Sequence, residues 1–150
     1  VTDTTSPIEG LEEVVERFDH VSIAVRDIDS VSPLISLLGA EYLDSGLGPG
    51  ENFRWIQYSL PGWGRLELIA AVESDPANFI TRFIDERGEG LHHLTFKVTD
   101  IIEATERAVA LGFLVTRFDD TLENWKEAFI HPRSAHGVLI QLAEFPDKDD

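Results

Sequence analysis

Apolar and small or polar residues alternate from about residue 17 to 25, which predicts a strand. Val21, Ile23 and Val25 fall on one face, and His20, Ser22 and Ala24 on the other. Ahead of it, a polar start leads to Leu11, Val14 and Val15, expected to form one helical turn on the body. The apolar face needs a helix to cover it. Leu34, Ile35, Leu37 and Leu38 supply its stripe, with Asp29 or Ser30 as cap, Pro33 in the first turn and Gly39 as its stop. Strands are predicted at about 41–44, 53–60 and 65–72, separated by a loop at 46–50 and a turn at 61–64. The predicted order is βαβββ.

A linker helix then begins at Asp75-Pro76, with Phe79, Ile80, Phe83 and Ile84 on one side, and ends in Arg87-Gly88-Glu89-Gly90. After it the pattern returns. A strand at 91–98 precedes a helix at about 101–111, which Gly112 stops, and strands follow near 113–118, 127–131 and 137–145. A shift of 73 places His20 on His93, Asp27 on Asp100 and Gly39 on Gly112; one further residue places Glu67 on Gln141. Such a period marks one module used twice. The expected fold is α+β, two pseudo-symmetric βαβββ modules whose curved sheets enclose one metal-centred cavity. The expected division is an extension over 1–16, one domain over 17–145 and a frayed tail over 146–150. Within the domain, module one covers about 17–72, the linker helix about 75–88 and module two about 91–145.

The same parity groups Arg65, Glu67 and Ile69 on one face of a later strand, and Leu139, Gln141 and Ala143 on its counterpart. Leu66, Leu68, Ile140 and Leu142 then face the helices. His20, Glu67, His93 and Gln141 thereby line the predicted cavity. Glu67 between two leucines is costly to bury unless it is paired, ligated or beside water. Two imidazoles, a carboxylate and an amide oxygen suit Zn, Mn, Co, Ni or Fe. Gln141 is either a ligand or a hydrogen-bond partner. His92 has the opposite parity to His93 and reads as a packing or supporting residue. His131 and His136 flank a turn, and Trp55, Trp63 and Trp125 read as wall or core.

Composition narrows the class. Among 150 residues there is no cysteine, so disulfides and thiolate metal sites are excluded. A net charge of −16 leaves no basic surface for nucleic acid. No apolar run has the ~20 residues of a membrane span, and no signal-peptide pattern is seen. A cytoplasmic location is expected. An anionic ligand would need Arg54, Arg65, Lys97 or Arg133 gathered at one mouth.

Three stretches carry a resemblance to a known family: Phe18-Asp19-His20-Val21, Gly90-Leu91-His92-His93-Leu94, and His131-Pro132-Arg133-Ser134 running through Gly137-Val138-Leu139-Ile140-Gln141-Leu142. The chain resembles the vicinal oxygen chelate superfamily, which includes glyoxalase I, extradiol dioxygenases and bleomycin and fosfomycin resistance proteins. It is most similar to the methylmalonyl-CoA epimerase-like branch. That branch implies His, Gln, His and Glu as metal ligands in chain order. Here the matched positions read His20, Glu67, His93 and Gln141, so the carboxylate and the amide have exchanged halves.

The resemblance implies a divalent-metal-dependent isomerase or epimerase that stabilises an enolate by chelating two vicinal substrate oxygens. Glu67, the one clear carboxylate of the predicted site, is the candidate for the base, whether ligated or released. Lys97, on the cavity face, is expected to bind a substrate carboxylate or phosphate, and Arg133 and Ser134 to bind substrate beside it. An acyl-CoA or another 1,2-dioxygen compound is the expected partner, and a homodimer is allowed. Three alternatives share the site: a glyoxalase-like lyase on a thiol adduct, a non-haem iron dioxygenase using His20, His93 and Glu67, and a non-enzymatic protein that sequesters a small molecule.

Overall fold

A computed structural model describes residues 10–147. Residues 1–9 and 148–150, most of the expected loose start and tail, lie outside the described residues. The strands are β1 (Val15–Ala24), β2 (Glu41–Leu47), β3 (Phe53–Ser59), β4 (Arg65–Ala71), β5 (Gly90–Val98), β6 (Val115–Asp119), β7 (Lys126–Ile130) and β8 (Ile140–Glu144). The helices are α1 (Ser32–Leu38), α2 (Phe79–Arg87) and α3 (Ile101–Ala110). This is an α+β chain carrying the βαβββ order twice, with α2 between the copies. Residues 19–93 make one compact unit, and the described residues before and after them make another. The boundaries fall inside β1 and β5.

In the unit over 19–93 the strand order is β2-β3-β4-β1. β1 and β4 are parallel, and the other neighbours are antiparallel. One face meets α1: Ile23, Val25, Leu68 and Ala70 pack with Ile28, Val31, Leu34 and Ile35. The opposite face meets α2, where Ala24 and Ile69 pack with Ile80 and Ile84. The predicted parity of both strands therefore holds.

Several local expectations change. Leu37 and Leu38 were expected in the buried stripe of α1, yet they are 78% and 39% exposed. The helix has only seven residues, and Val31, Leu34 and Ile35 already occupy its inward side at i, i+3 and i+4, which turns Leu37 outward. Asp27, rather than Asp29 or Ser30, accepts from Asp29 N and caps a 3-10 turn that precedes α1. α1 stops at Gly39 (φ 65°), as expected of a left-handed cap. α2 starts after Asn78, whose side chain accepts from Ile80 N and Thr81 N, not at Asp75-Pro76. β2 also runs through Gly46, where a loop was expected. Gly46 pairs with Trp55, and a Cβ there would lie 3.1 Å from the indole ring, so the glycine permits close approach rather than a turn.

In the other unit the order is β5-β8-β7-β6, again with the first pair parallel. Phe96, Val98, Ala128, Ile130, Ile140 and Leu142 pack against Ile101, Ala104 and Ala108 of α3. Leu11, Val14 and Val15 join the same cluster, as the sequence predicted. Asp100 caps α3 through Ile102 N and Glu103 N. Among the described residues no helix is long and apolar enough to cross a membrane.

Candidate metal centre

Strand register brings the first unit's polar groups together. Ser22 on β1 lies opposite Glu67 on β4, and Gln57 on β3 lies opposite Glu67 from the other side. One carboxylate is therefore held by both neighbouring strands. Ser22 Oγ donates to Glu67 Oε1 at 2.5 Å, and Gln57 Nε2 donates to Oε2 at 2.9 Å. His20 shares the face of Ser22, two residues earlier, and its Nε2 lies 3.3 Å from Glu67 Oε1. His93 on β5 completes the group. Its Nε2 lies 3.0 Å from Ser22 Oγ, which accepts because its single proton is committed to Glu67. The His20 and His93 rings meet edge to face with centroids 5.9 Å apart.

His20, Ser22 and Glu67 are all buried. The ligand atoms of His20, Glu67 and His93 lie within 4.8 Å of one another. The Nδ1 of His20 is taken by Asp19 Oδ2 at 2.8 Å. Its Nε2 is buried without a hydrogen-bond partner among the described residues. Glu67 Oε1 is near enough for charge attraction, but the two do not form an aligned hydrogen bond. A buried, unpartnered imidazole nitrogen facing a carboxylate and a second imidazole fits a divalent cation. The donor set of two nitrogens and one oxygen suits the borderline metals named above.

The charges reinforce one another when no cation is present. Burial alone would lower the pKa of His20, but its bond to Asp19 and the adjacent Glu67 raise it to about 9. Burial alone would raise the pKa of Glu67. His20 outweighs that effect, helped by the Ser22 and Gln57 bonds, and lowers it to about 2.

Gln141 lies in the other unit, in a matching arrangement. Thr95 on β5 is opposite Gln141 on β8, as Ser22 is opposite Glu67. Thr95 Oγ1 donates to Gln141 Oε1 at 2.6 Å, and Gln141 Nε2 donates to Glu127 Oε1 at 2.9 Å. Trp125 Nε1 donates to that same oxygen at 2.8 Å. Each unit thus holds a hydroxyl, an amide and a carboxylate in hydrogen-bonded sequence. In one the middle group is an acid, and in the other it is an amide.

The remaining expected residues have defined places. Lys97 is 3% exposed; its Nζ binds Asp147 Oδ1 at 2.6 Å and Glu16 Oε2 at 3.3 Å, and lies 4.9 Å from the centroid of the Phe145 ring. Arg133 is exposed. Ser134 Oγ donates to His131 O and accepts from Leu114 N, so it ties the turn together. His92 packs against Phe79 and Phe83, and its Nδ1 lies 2.9 Å from Nδ1 of His93.

Sequence reasoning passed over Asp19, Gln57 and Glu127. Gln57 follows from the strand register: the hairpin is centred on residue 62, which sets residue 57 opposite 67. Glu127, in β7, has no counterpart carboxylate under the repeat, so nothing in the sequence singled it out.

The profile of the Glyoxalase/Bleomycin resistance protein/Dioxygenase superfamily matches residues 19–129. The Bacillus subtilis protein YqjC, uncharacterised, is 31% identical over 133 residues, 87% of this chain and 93% of its own. An ethylmalonyl-CoA/methylmalonyl-CoA epimerase of Cereibacter sphaeroides is 27% identical over 137 residues, 87% of this chain and 99% of that one. The crystal structure of methylmalonyl-CoA epimerase from Mycobacterium tuberculosis matches with a TM-score of 0.77 at 28% identity, covering 97% of this chain and 94% of that one.

Proposed function

This chain belongs to the glyoxalase/bleomycin resistance protein/dioxygenase superfamily, and we propose that it is a divalent-metal-dependent isomerase or epimerase resembling methylmalonyl-CoA epimerase. One observation supports this most: His20, Glu67 and His93 offer ligand atoms within 4.8 Å of one another, and His20 Nε2 is buried with no hydrogen-bond partner among the described residues. Gln141, which the sequence repeat matched to Glu67, lies in the other unit, where its amide is held by Thr95 and Glu127.

A bound divalent cation supplies a Lewis acid for an enolate oxygen. The protein's own part is to hold and move a proton. Glu67 is ionised across the neutral range, so it can accept a proton from a carbon acidified by an adjacent carbonyl. Ser22 and Gln57 hold its two oxygens and limit its rotation. The low pKa makes Glu67 a weak base in the metal-free protein, and proton abstraction then relies on strong acidification of the substrate carbon.

The proposed substrate is an acyl-CoA with an acidic α-carbon, by analogy with the Cereibacter relative. Incubation with methylmalonyl-CoA and cobalt(II) in deuterated buffer tests the reading. Deuterium entering the α-carbon supports it, and none entering above the metal-only rate refutes it. Two histidines and one carboxylate are also the ligand set of non-haem iron oxygenases. Oxygen uptake by the iron(II)-loaded protein is the control for that reading.

A further inference from the structure

The neighbour that precedes each histidine of the ligand cluster is unusual in its position. Adjacent residues on a strand point to opposite faces. Asp19 nevertheless reaches the Nδ1 edge of His20, with Oδ2 at 2.8 Å. The shift of 73 that maps His20 on His93 maps Asp19 on His92. His92 in turn lies 2.9 Å from Nδ1 of His93, through its own Nδ1. In both copies, then, the residue just before the histidine occupies the ring edge that faces away from the ligand cluster. The partner is a carboxylate in one copy and an imidazole in the other.

Asp19 is 4% exposed, a costly place for a carboxylate unless its oxygens are satisfied. Both are used: Oδ2 by His20 and Oδ1 by Arg65 Nη1 at 3.0 Å. A carboxylate can only accept, so the hydrogen between Asp19 and His20 sits on Nδ1. Once the ring is neutral, as binding a cation requires, Nε2 carries the lone pair, and among the described residues Nε2 has no hydrogen-bond partner. The Arg65 guanidinium offsets the Asp19 charge, so the pair adds no net charge beside Glu67.

We propose that Asp19 is a positioning residue for the metal centre: it fixes His20 with its proton on Nδ1, aims Nε2 at the cation and makes the ring a stronger donor. The proposal deepens the metal-centre reading and rests on it. The competing role for Asp19 is a purely structural ion pair with Arg65. The two roles differ in what each partner's loss does. Losing Asp19 removes both the His20 contact and the ion pair, whereas losing Arg65 removes the ion pair alone.

The test is calorimetric titration of metal-free protein with cobalt(II) for wild type, Asp19→Asn and Arg65→Gln. Asp19→Asn is expected to bind about 10–100-fold more weakly, the usual cost of losing a carboxylate behind a ligating histidine. Arg65→Gln is expected to stay close to wild type. Equal affinities for Asp19→Asn and wild type overturn the proposal. So does an equal loss in both variants. A wild type that binds no cobalt(II) refutes the metal-centre reading itself, a separate outcome. If Asp19→Asn does not fold, a long-range proton–nitrogen correlation on zinc-loaded wild type decides instead. It is expected to show His20 protonated on Nδ1 with the metal on Nε2. Metal on Nδ1 overturns the proposal.

Discussion

Ser22 and Glu67 are direct register partners on parallel strands β1 and β4, and the serine hydroxyl donates to the glutamate at 2.5 Å. The bond is buried, so it sets the orientation of the only carboxylate in the ligand cluster. Ser22→Ala should cost about 1–3 kcal/mol, the penalty for an unsatisfied bond to a buried group. Urea denaturation of metal-free protein measures it, and an unchanged midpoint would contradict the account.

Glu67→Gln keeps the shape but removes the charge and the base. Solvent deuterium should no longer enter the substrate, and cobalt(II) binding should weaken. Mass spectrometry of the acyl-CoA and calorimetry of the metal read the two effects. Persistent exchange would place the base elsewhere.

A cation that takes His20 must displace a proton at neutral pH, because His20 is protonated up to about 9 in the metal-free protein. Cobalt(II) affinity should therefore rise from pH 6.5 towards 9, with protons released on binding. The sign for stability is opposite. The raised pKa of His20 stabilises the metal-free fold below its ordinary 6.5, and that contribution is lost as pH rises through about 9. The lowered pKa of Glu67 stabilises above its ordinary 4.5, and that contribution is lost as pH falls through about 2. The pair thus favours the metal-free fold most between about 4.5 and 6.5. Thermal midpoints across this range, with and without metal, check both signs.

Lys97 separates a binding role from a structural one. Its Nζ is held by Asp147 and Glu16. Lys97→Met should lower the thermal midpoint and leave KM for the acyl-CoA unchanged. A raised KM with an unchanged midpoint would instead support the substrate-binding role expected from sequence.

Asn78→Ala removes the cap of α2, the helix that covers Ala24 and Ile69 beside the cluster. It should cost about 0.5–2 kcal/mol, with little change in metal affinity. Denaturation and titration of the same sample compare the two.

The sequence by itself determined the repeated βαβββ order, the parity that sends Leu66 and Leu68 to the helices, and the placing of His20, Glu67 and His93 on one face. These follow from alternation and a repeat, which are local properties of the backbone. Tertiary structure alone decided the rest. Register across β3 and β4 set Gln57 on Glu67, and packing distant in sequence committed Lys97 to Asp147. The turn of α1 left Leu37 outside despite its apolar character. Asp19 was hidden for the same reason, since strand parity assigns it the face away from His20. Its side chain curls back because a buried carboxylate must find donors, and those donors, His20 Nδ1 and Arg65, are brought together only by the folded sheet.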